Sequence, residues 1–346
     1  MKLFVQGSLL GERPHYVSAT GTTHAATLQT LLGFGDGTRR FDPVGLRQYF
    51  DRRPDGERTC FKDAKLLPAG SNLYQSADGL HFCSRELPEP DGPLLPLLEQ
   101  VLSESVASNT KFVVALSGGL DSALVLALML RLTGKTVPVV TLATQIPGYC
   151  ELEQTLETAR LLGIDSVEII KVGREELVAA LPDAIAACEA PLFNLHPVAR
   201  ILLAREVAHH GYDVMLTGDG ADQVFAGADA RNYLPIVGAM VRATGLRLLS
   251  PFFDERVVGW ARNHGADADK SALRQAAASI LPAEVVWREK SPRFAPDFDL
   301  NHYRDSQLER QLALLLGLTP PDSEPGPDQT LWATTAILTR HLGGTC

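Results

Sequence analysis

The sequence lacks several features that define whole classes of proteins. It contains no run of 18 consecutive apolar residues, so no membrane-spanning segment is expected. Its first ten residues, MKLFVQGSLL, have neither the apolar core nor the small-residue cleavage site of a secretory signal. The five cysteines are odd in number, widely spaced and without a CxxC pair, which argues against a disulfide framework or a zinc site. These absences favour a protein of the reducing cytoplasm.

Basic charge is also scarce. The 346 residues include 32 Lys and Arg against 41 Asp and Glu, for a formal net charge of −9. This acidic balance argues against general binding to nucleic acid or to an anionic membrane. The length favours two domains, with enough chain to bury a sizeable core.

Proline divides the chain. The stretch ELPEPDGPLLP at residues 86–96 can continue neither a helix nor a central strand. It predicts a small N-terminal module over residues 1–87 and a larger domain over residues 94–346. Short strand-like pieces separated by Gly, Asp and Pro turns indicate that the N-terminal module is β-rich. A second break at 318–328 precedes a predicted last helix over 330–342.

Strand-like and helical segments alternate in the larger domain. Predicted strands cover 111–116, 136–142, 166–172 and 213–218, with helical patterns between them, and the pattern after residue 238 is mostly helical. Strands that alternate with helices predict an α/β fold with a doubly wound parallel sheet. Ligands bind such sheets at the carboxyl ends of the strands, where two unusual loops fall.

The first loop is SGGLDS, residues 117–122, between a predicted strand and a helix. Two glycines allow an anion to approach the backbone closely, and the start of the following helix offers free N–H groups. Asp121 would repel bare phosphate, so its presence indicates a divalent cation between carboxylate and phosphates. The loop is neither a GxxxxGK[ST] nor a GxGxxG motif, and a plain glycine-rich turn is the alternative interpretation.

The second loop is TGDGAD, residues 217–222, at the end of the fourth predicted strand. Asp219 and Asp222 flank a glycine-rich turn, which could complete a Mg²⁺ site and supply an acid or base. Alone this motif is weak, because loops of Asp and Gly are common. Its position at the same sheet edge as the first loop strengthens the prediction.

Four motifs in order resemble those of one known family. SGGLDS is similar to the pyrophosphatase loop of the N-type ATP pyrophosphatases, and TGDGADQVFAG resembles the second signature of the asparagine synthetase family within that group. SPFFDERVVGWA at 250–261 and the segment 270–290, from KSALRQ to WREK, resemble two further motifs of that family. The resemblance covers residues 95–300 and implies an adenine nucleotide alpha hydrolase-like fold.

The resemblance implies a mechanism and a set of residues. Family members adenylate a carboxylate with ATP and Mg²⁺, release pyrophosphate, and let an amine displace AMP. Lys290 matches the catalytic lysine, Asp219 the residue that orients or deprotonates the amine, and Asp121 and Asp222 the Mg²⁺ ligands. The implied ATP site comprises Leu116, Ser117, Gly118, Gly119, Asp121, Ser122, Leu142, Thr217, Gly218 and Lys270.

The sequence departs from the family pattern at its start. Members that hydrolyse glutamine begin Met-Cys, whereas this chain begins Met1-Lys2, and no cysteine precedes Cys60. We therefore expect the N-terminal module to be a truncated remnant of a glutaminase-like domain. The expected enzyme is an amide ligase without its own glutaminase, similar to the β-lactam synthetases.

Two alternatives stay open. One is an asparagine synthetase that uses ammonia, either free or from a partner glutaminase. The other is a non-catalytic nucleotide-binding protein that has kept both loops. The expected partners are a small carboxylic acid and an amine or ammonia, with no nucleic acid and no membrane, and a homo-oligomer or a pathway partner is compatible with the sequence.

Other residues are weaker candidates. Glu189, in ACEAPLFN, lies in a segment that by resemblance forms one wall of the acid pocket. Histidines at 196, 209 and 210 fit a helix surface better than a ligand site. The three tryptophans fit core or interface positions better than stacking platforms: Trp260, Trp287 and Trp332.

Overall fold

The computed structural model describes residues 2–35, 39–106, 110–226, 232–289 and 296–346. These residues contain eleven strands, fifteen α-helices and two short 3₁₀ helices, at Pro251–Phe253 and Asn301–Tyr303. The strands are β1 (Lys2–Gln6), β2 (Tyr16–Ser18), β3 (His24–Ala25), β4 (Ala64–Leu66), β5 (Ser71–Ser76), β6 (Gly79–Ser84), β7 (Phe112–Ala115), β8 (Val139–Thr144), β9 (Glu168–Val172), β10 (Val214–Leu216) and β11 (Arg247–Leu249). The helices are α1 (Leu28–Gly33), α2 (Pro43–Phe50), α3 (Leu94–Ser105), α4 (Leu120–Thr133), α5 (Leu152–Leu161), α6 (Arg174–Ala179), α7 (Leu181–Cys188), α8 (His196–His209), α9 (Ala221–Phe225), α10 (Leu234–Arg242), α11 (Glu255–His264), α12 (Ser271–Ala277), α13 (Ala283–Val286), α14 (Ser306–Leu316) and α15 (Pro327–Leu342).

A five-stranded parallel sheet forms the centre of the larger domain. Its strand order is β11-β10-β7-β8-β9, and every neighbouring pair is parallel. The four strands predicted from the alternating pattern are β7 to β10. Strand β11 was not predicted, because its three residues lie in a stretch that reads as mostly helical.

Helices cover both faces of this sheet. Val114 of β7 packs with Leu124 and Leu128 of α4 in one buried cluster. Its neighbour Val113 points to the opposite face and packs with Ala204 of α8 in another cluster. Successive strand residues face opposite sides, so the apolar run of β7 serves both layers. The predicted α/β fold with a doubly wound parallel sheet is confirmed.

Two small antiparallel sheets, β1-β5-β6 and β3-β2-β4, form the N-terminal part. This part shares a buried cluster with the C-terminal helices. Phe41 and Phe61 are stacked at a 5.2 Å ring separation, and they belong to the same cluster as Trp332 of α15. Trp332 also meets Phe50 of α2 edge to face, with ring centroids 5.2 Å apart. The division into 1–87 and 94–346 stays a prediction.

The described part of the chain contains no helix with the length and apolar composition needed to cross a membrane. The predicted last helix is present as α15, which begins at Pro327, three residues earlier than expected. Proline suits the first turn of a helix because the N–H groups there have no partner within the helix.

The N-terminal part contacts helix α10 through a glycine. A Cβ atom added at Gly238 would lie 1.8 Å from the carbonyl oxygen of Glu12. Real Cβ atoms do not approach backbone oxygen so closely, so only glycine allows the segment at Glu12 to lie against α10.

We expect Gly238→Ala to lower the free energy of unfolding by about 1–3 kcal/mol, the usual effect of overpacking. Chemical denaturation of the purified variant measures this loss. Gly33→Ala in α1 is the matched control, because a Cβ there meets nothing within 4 Å. That control should be neutral or more stable by about 0.4–1 kcal/mol, and equal destabilisation by both substitutions would contradict the steric argument.

Candidate active site

The first loop forms a compact turn between β7 and α4. The backbone N–H of Ser117 donates to Ser122 Oγ at 3.1 Å, and the two serine hydroxyls are 3.0 Å apart. Gly119 is the N-cap of α4, and no side chain caps the helix there. The start of α4 therefore presents the positive end of its helix dipole to this turn, which favours an anion there.

Gly118 needs to be glycine for two reasons. Its φ of +73° lies in the left-handed region, and an added Cβ would lie 2.8 Å from the backbone nitrogen of Thr155 in α5. Its carbonyl accepts hydrogen bonds from Thr158 Oγ1 at 3.1 Å, from Gln154 at 3.3 Å and from Arg288 Nη1 at 2.9 Å. The loop is thus held against α5 and against the segment after α13.

The second loop lies directly on the first. A Cβ added at Gly218 would lie 2.6 Å from both the carbonyl carbon of Asp121 and the backbone nitrogen of Ser122. The loop after β10 therefore packs on the first turn of α4 without any side chain between the two backbones. This close approach brings Asp121 and Asp222 to the same side of the sheet edge.

Lys270 joins the two loops electrostatically. Its Nζ donates to Oδ1 and Oδ2 of Asp121 at 2.9 and 2.7 Å and lies 2.5 Å from Oδ1 of Asp222. Only 12% of the lysine side chain is exposed. Burial disfavours the ammonium, but the charges of Asp121 and Asp222 outweigh burial and raise the pKa of Lys270. Lys270 is therefore charged at neutral pH.

The backbone of Lys270 is strained. Its φ of +53° and ψ of 44° are left-handed, a conformation that costs a residue other than glycine about 1–3 kcal/mol. The turn before it is held by Asp267, whose backbone N–H donates to Phe225 at 3.0 Å and whose carbonyl accepts from Lys270 at 2.9 Å. Because Phe225 and Asp222 belong to the same helix, α9, this turn is fixed relative to the second loop.

Asp219 has both carboxylate oxygens engaged. Thr217 Oγ1 donates to Oδ2 at 2.9 Å, and Arg200 of α8 donates to Oδ1 at 3.1 Å. The side chains of Arg200 and Asp219 are 24% and 20% exposed. An acidic residue at the sheet edge is thus fixed in place beside a permanent positive charge.

The two leucines predicted to line the nucleotide do not share a cluster. Leu116 is 3% exposed and packs with the residues around α4. Leu142 of β8 is half-buried and packs with the clusters on the α8 side of the sheet. Their roles beside the nucleotide stay predictions.

Lys290 lies outside the described residues, so its position is not part of this geometry. Within the described ranges, no group of three or more His, Cys, Asp or Glu side chains could hold a metal ion. The donor set nevertheless suits a divalent cation, because Asp121 and Asp222 both contact the ammonium of Lys270 and so already lie around one position. Carboxylate oxygens together with phosphate oxygens are the usual ligands of Mg²⁺.

Glu189 serves the fold in a way that the sequence did not indicate. Its two carboxylate oxygens accept the backbone N–H groups of Leu28 at 2.5 Å and of Gln29 at 2.7 Å, at the start of α1. Burial raises the pKa of this carboxyl, and the two N–H donors oppose that effect. These contacts favour a role in positioning α1 over a place in an acid pocket.

The histidines and tryptophans that were weaker candidates have the following surroundings in the structure. His196 is bonded to the Tyr149 hydroxyl, and His210 is 2.5 Å from Glu168. Trp260 is buried and donates to the Gly92 carbonyl at 2.8 Å, whereas Trp287 is 59% exposed.

Arg200 and Arg288 were not predicted. Arg288 donates to Gly118, Thr158 and Glu157 at 2.7–2.9 Å, and so joins the segment before Lys290 to the first loop. Its place in WREK, two residues before Lys290, was a signal that could have found it. Arg200 carries no comparable signal, because one arginine in a helix is ordinary.

The sheet edge with these two loops is where α/β proteins bind ligands. Comparison with known proteins identifies the family of the chain. The profile of the family described as asparagine synthase matches residues 94–239 and 232–324. A putative glutamine-hydrolyzing asparagine synthetase from Mycobacterium tuberculosis is 31% identical over 254 residues, 65% of this chain and 37% of that protein. Asparagine synthetase B from Escherichia coli is 25% identical over 281 residues, 65% of this chain and 50% of that protein. A solved structure of an NH₃-dependent NAD synthetase from Campylobacter jejuni covers 72% of this chain and 92% of that chain, with 16% identity and a TM-score of 0.35.

The family match extends over more than half of the chain, from the start of α3 to the loop before α15. The chain therefore belongs to the asparagine synthase family, and the resemblance found in the motifs is confirmed. The relatives named above are carbon–nitrogen ligases by their names. The matched region spans half or less of the length of each of the two asparagine synthetases.

The close contact between the two loops leads to a prediction for the substitution Gly218→Ala. We expect Gly218→Ala to separate the second loop from α4 and to weaken ATP binding about tenfold or more, because misplacement by about 1 Å can cost as much as 10²-fold. Nucleotide titration measures the change. The control is Gly326→Ala, where φ is 175° and a Cβ meets nothing within 4 Å. Equal ATP affinity in Gly218→Ala and in wild type would contradict the close-approach argument.

Proposed function

We propose that this chain is an ATP-dependent amide ligase that adenylates a substrate carboxylate, releases pyrophosphate, and couples the acyl group to an amine with release of AMP. The observation that carries this proposal is the convergence of the two loops at the sheet edge, where Lys270 contacts Asp121 and Asp222 together. Membership of the asparagine synthase family supports it. A non-catalytic nucleotide-binding protein would have no need to keep both loops and both carboxylates.

The first loop would hold the phosphates of ATP. Gly118 and Gly119 leave the backbone open, α4 directs its first N–H groups at the same point, and Ser117 and Ser122 supply hydroxyl donors. The rigid contacts of the Gly118 carbonyl keep this cradle in shape before ATP binds. Such preorganisation reduces the free energy lost when donors are ordered around an anion.

Asp121 and Asp222 would hold Mg²⁺ beside these phosphates. When bound, Mg²⁺ neutralises charge on phosphate oxygens and so makes the α-phosphorus easier to attack. The chain's own contribution is to keep the two carboxylates close together without metal, through the backbone contact at Gly218 and the ammonium of Lys270.

Lys290 and Asp219 would act on the reacting groups. By its match to the family motif, Lys290 would place a compact positive charge beside the oxygens that become negative in the transition state. Asp219, fixed by Arg200 and Thr217, would accept a hydrogen bond from the incoming amine and orient it.

Two of the relatives are named as glutamine-hydrolyzing asparagine synthetases, and these names favour one specific alternative, an asparagine synthetase. In this alternative the chain would use ammonia, either free or from a partner glutaminase. ATP–pyrophosphate exchange across a panel of acids separates the possibilities. Exchange with aspartate supports the asparagine synthetase alternative, exchange with a different acid supports a biosynthetic amide ligase, and nucleotide binding without exchange supports the non-catalytic alternative.

Removing either carboxylate should abolish use of Mg·ATP without unfolding the protein. We expect Asp121→Asn and Asp222→Asn each to lower exchange by about 10²–10³-fold, because each removes a charge from the cation site. The matched control is Asp165→Asn, an exposed aspartate before β9, which should keep wild-type exchange. Unchanged turnover in either loop variant would exclude the proposed cation site.

Glutamine should not serve as nitrogen source for this chain. Hydrolysis of glutamine by a cysteine requires the thiolate, and burial raises the pKa of Cys60 well above its ordinary value and that of Cys188 to about 12. We expect no glutamate release from glutamine by the purified chain, measured by amino-acid analysis beside an ammonia-fed reaction. Glutamate release that disappears in Cys150→Ser would instead assign a glutaminase to that exposed thiol.

A further inference from the structure

The ammonium of Lys270 occupies the position where the two loop carboxylates meet. Three carboxylate oxygens surround Nζ at 2.9, 2.7 and 2.5 Å, two from Asp121 and one from Asp222. An ammonium has three N–H donors and no acceptor, so these three contacts use its full capacity. The side chain is 12% exposed, so water solvates this charge only in part.

Two carboxylates in one place repel each other unless a positive charge lies between them. Lys270 supplies such a charge, since its Nζ contacts both carboxylates. The proposed function assigns the same two carboxylates to Mg²⁺, so a divalent cation and the ammonium would compete for the same oxygens. Binding of the divalent cation would therefore weaken the contacts of the Lys270 ammonium with these oxygens, and the reverse also holds.

We propose that Lys270 is a tethered counter-ion, which holds Asp121 and Asp222 together in the nucleotide-free protein and blocks free divalent cations. This inference rests on the proposed function, because it takes the cation site from it. A nucleotide offers the ammonium a second set of anionic oxygens, so the lysine releases the carboxylates only when ATP arrives. Divalent cation and nucleotide therefore bind together, and neither free Mg²⁺ nor free Mn²⁺ fills the site first.

The backbone around Lys270 suits this role. Its left-handed conformation is held by the 267–271 turn, in which Asp267 accepts the backbone N–H groups of Asp269 at 2.9 Å and Ser271 at 3.0 Å. The turn is also tied to α9 through Phe225. The Cα atom is thereby fixed, and the flexible four-carbon stem is the part that can carry the charge from carboxylate to phosphate.

Mn²⁺ binding without nucleotide tests the proposal, read by the loss of the free Mn²⁺ signal in electron paramagnetic resonance. We expect wild type to bind Mn²⁺ weakly and Lys270→Met to bind it at least about tenfold more tightly, because the competing positive charge is gone. Lys135→Met removes an exposed lysine just after α4 and should behave like wild type. The double variant Lys270→Met with Asp121→Asn should lose the gained affinity.

Two results would overturn the proposal. One is wild type that binds Mn²⁺ as tightly as Lys270→Met, and the other is a gain in Lys270→Met that survives Asp121→Asn. Circular dichroism establishes whether Lys270→Met folds. If it folds only with Mn²⁺ present, the counter-ion role is supported. If it does not fold at all, the wild-type protein decides, since tight Mn²⁺ binding in the absence of nucleotide contradicts the proposal.

A second titration of the wild-type protein distinguishes failure of this inference from failure of the proposed function. A non-hydrolysable ATP analogue is titrated into wild type with and without Mn²⁺. An analogue that fails to bind in either condition contradicts the proposed function, whereas the nucleotide-free Mn²⁺ comparison is read independently of it. Binding of Mn²⁺ only in the presence of the analogue supports both.

Discussion

The contact between Gly218 and the first turn of α4 is the constraint on which the rest of the site depends. A backbone that lies 2.6 Å from an imagined Cβ leaves no room for any side chain. The loops that follow the neighbouring strands β7 and β10 are thereby held in a fixed position relative to each other. Asp121 and Asp222 can then reach one ammonium, and Asp219 can reach Arg200 across the edge. The arrangement of these charged side chains therefore depends on residue 218 having no Cβ atom.

Four strands of the sheet and the positions of the two loops could be predicted, because the sequence pattern there is local. The apolar strands β7 to β10 and the glycine-rich loops after β7 and β10 each occupy a short continuous segment with a recognisable composition. Strand β11 escaped prediction because three residues carry too little pattern, and it is specified by pairing with β10. Arg200 escaped because its role comes from a contact 19 residues away in the chain, which no spacing rule reveals.

Glu189 shows that a residue singled out by family resemblance can have a structural contact that the sequence does not reveal. It lies two residues before Pro191, in a segment that by resemblance forms one wall of the acid pocket. In three dimensions its carboxylate satisfies two N–H groups of a helix 160 residues earlier in the chain. Its left-handed backbone, at φ of 52°, aims the side chain there. A local pattern contains no trace of such a distant partner.

The cluster that contains Phe41 and Phe61 also contains Ala336 and Leu342, and the backbone N–H of Phe41 donates to the carbonyl of Thr345 at 2.9 Å. This shared cluster can therefore be complete only after α15 has been synthesised. Domains usually fold in the order of synthesis, but here Phe41 and Phe61 pack against a helix that is synthesised much later. Until then Phe41 and Phe61 lack the apolar partners that α15 supplies, so burial of these two rings indicates that the N-terminal part and α15 have come together.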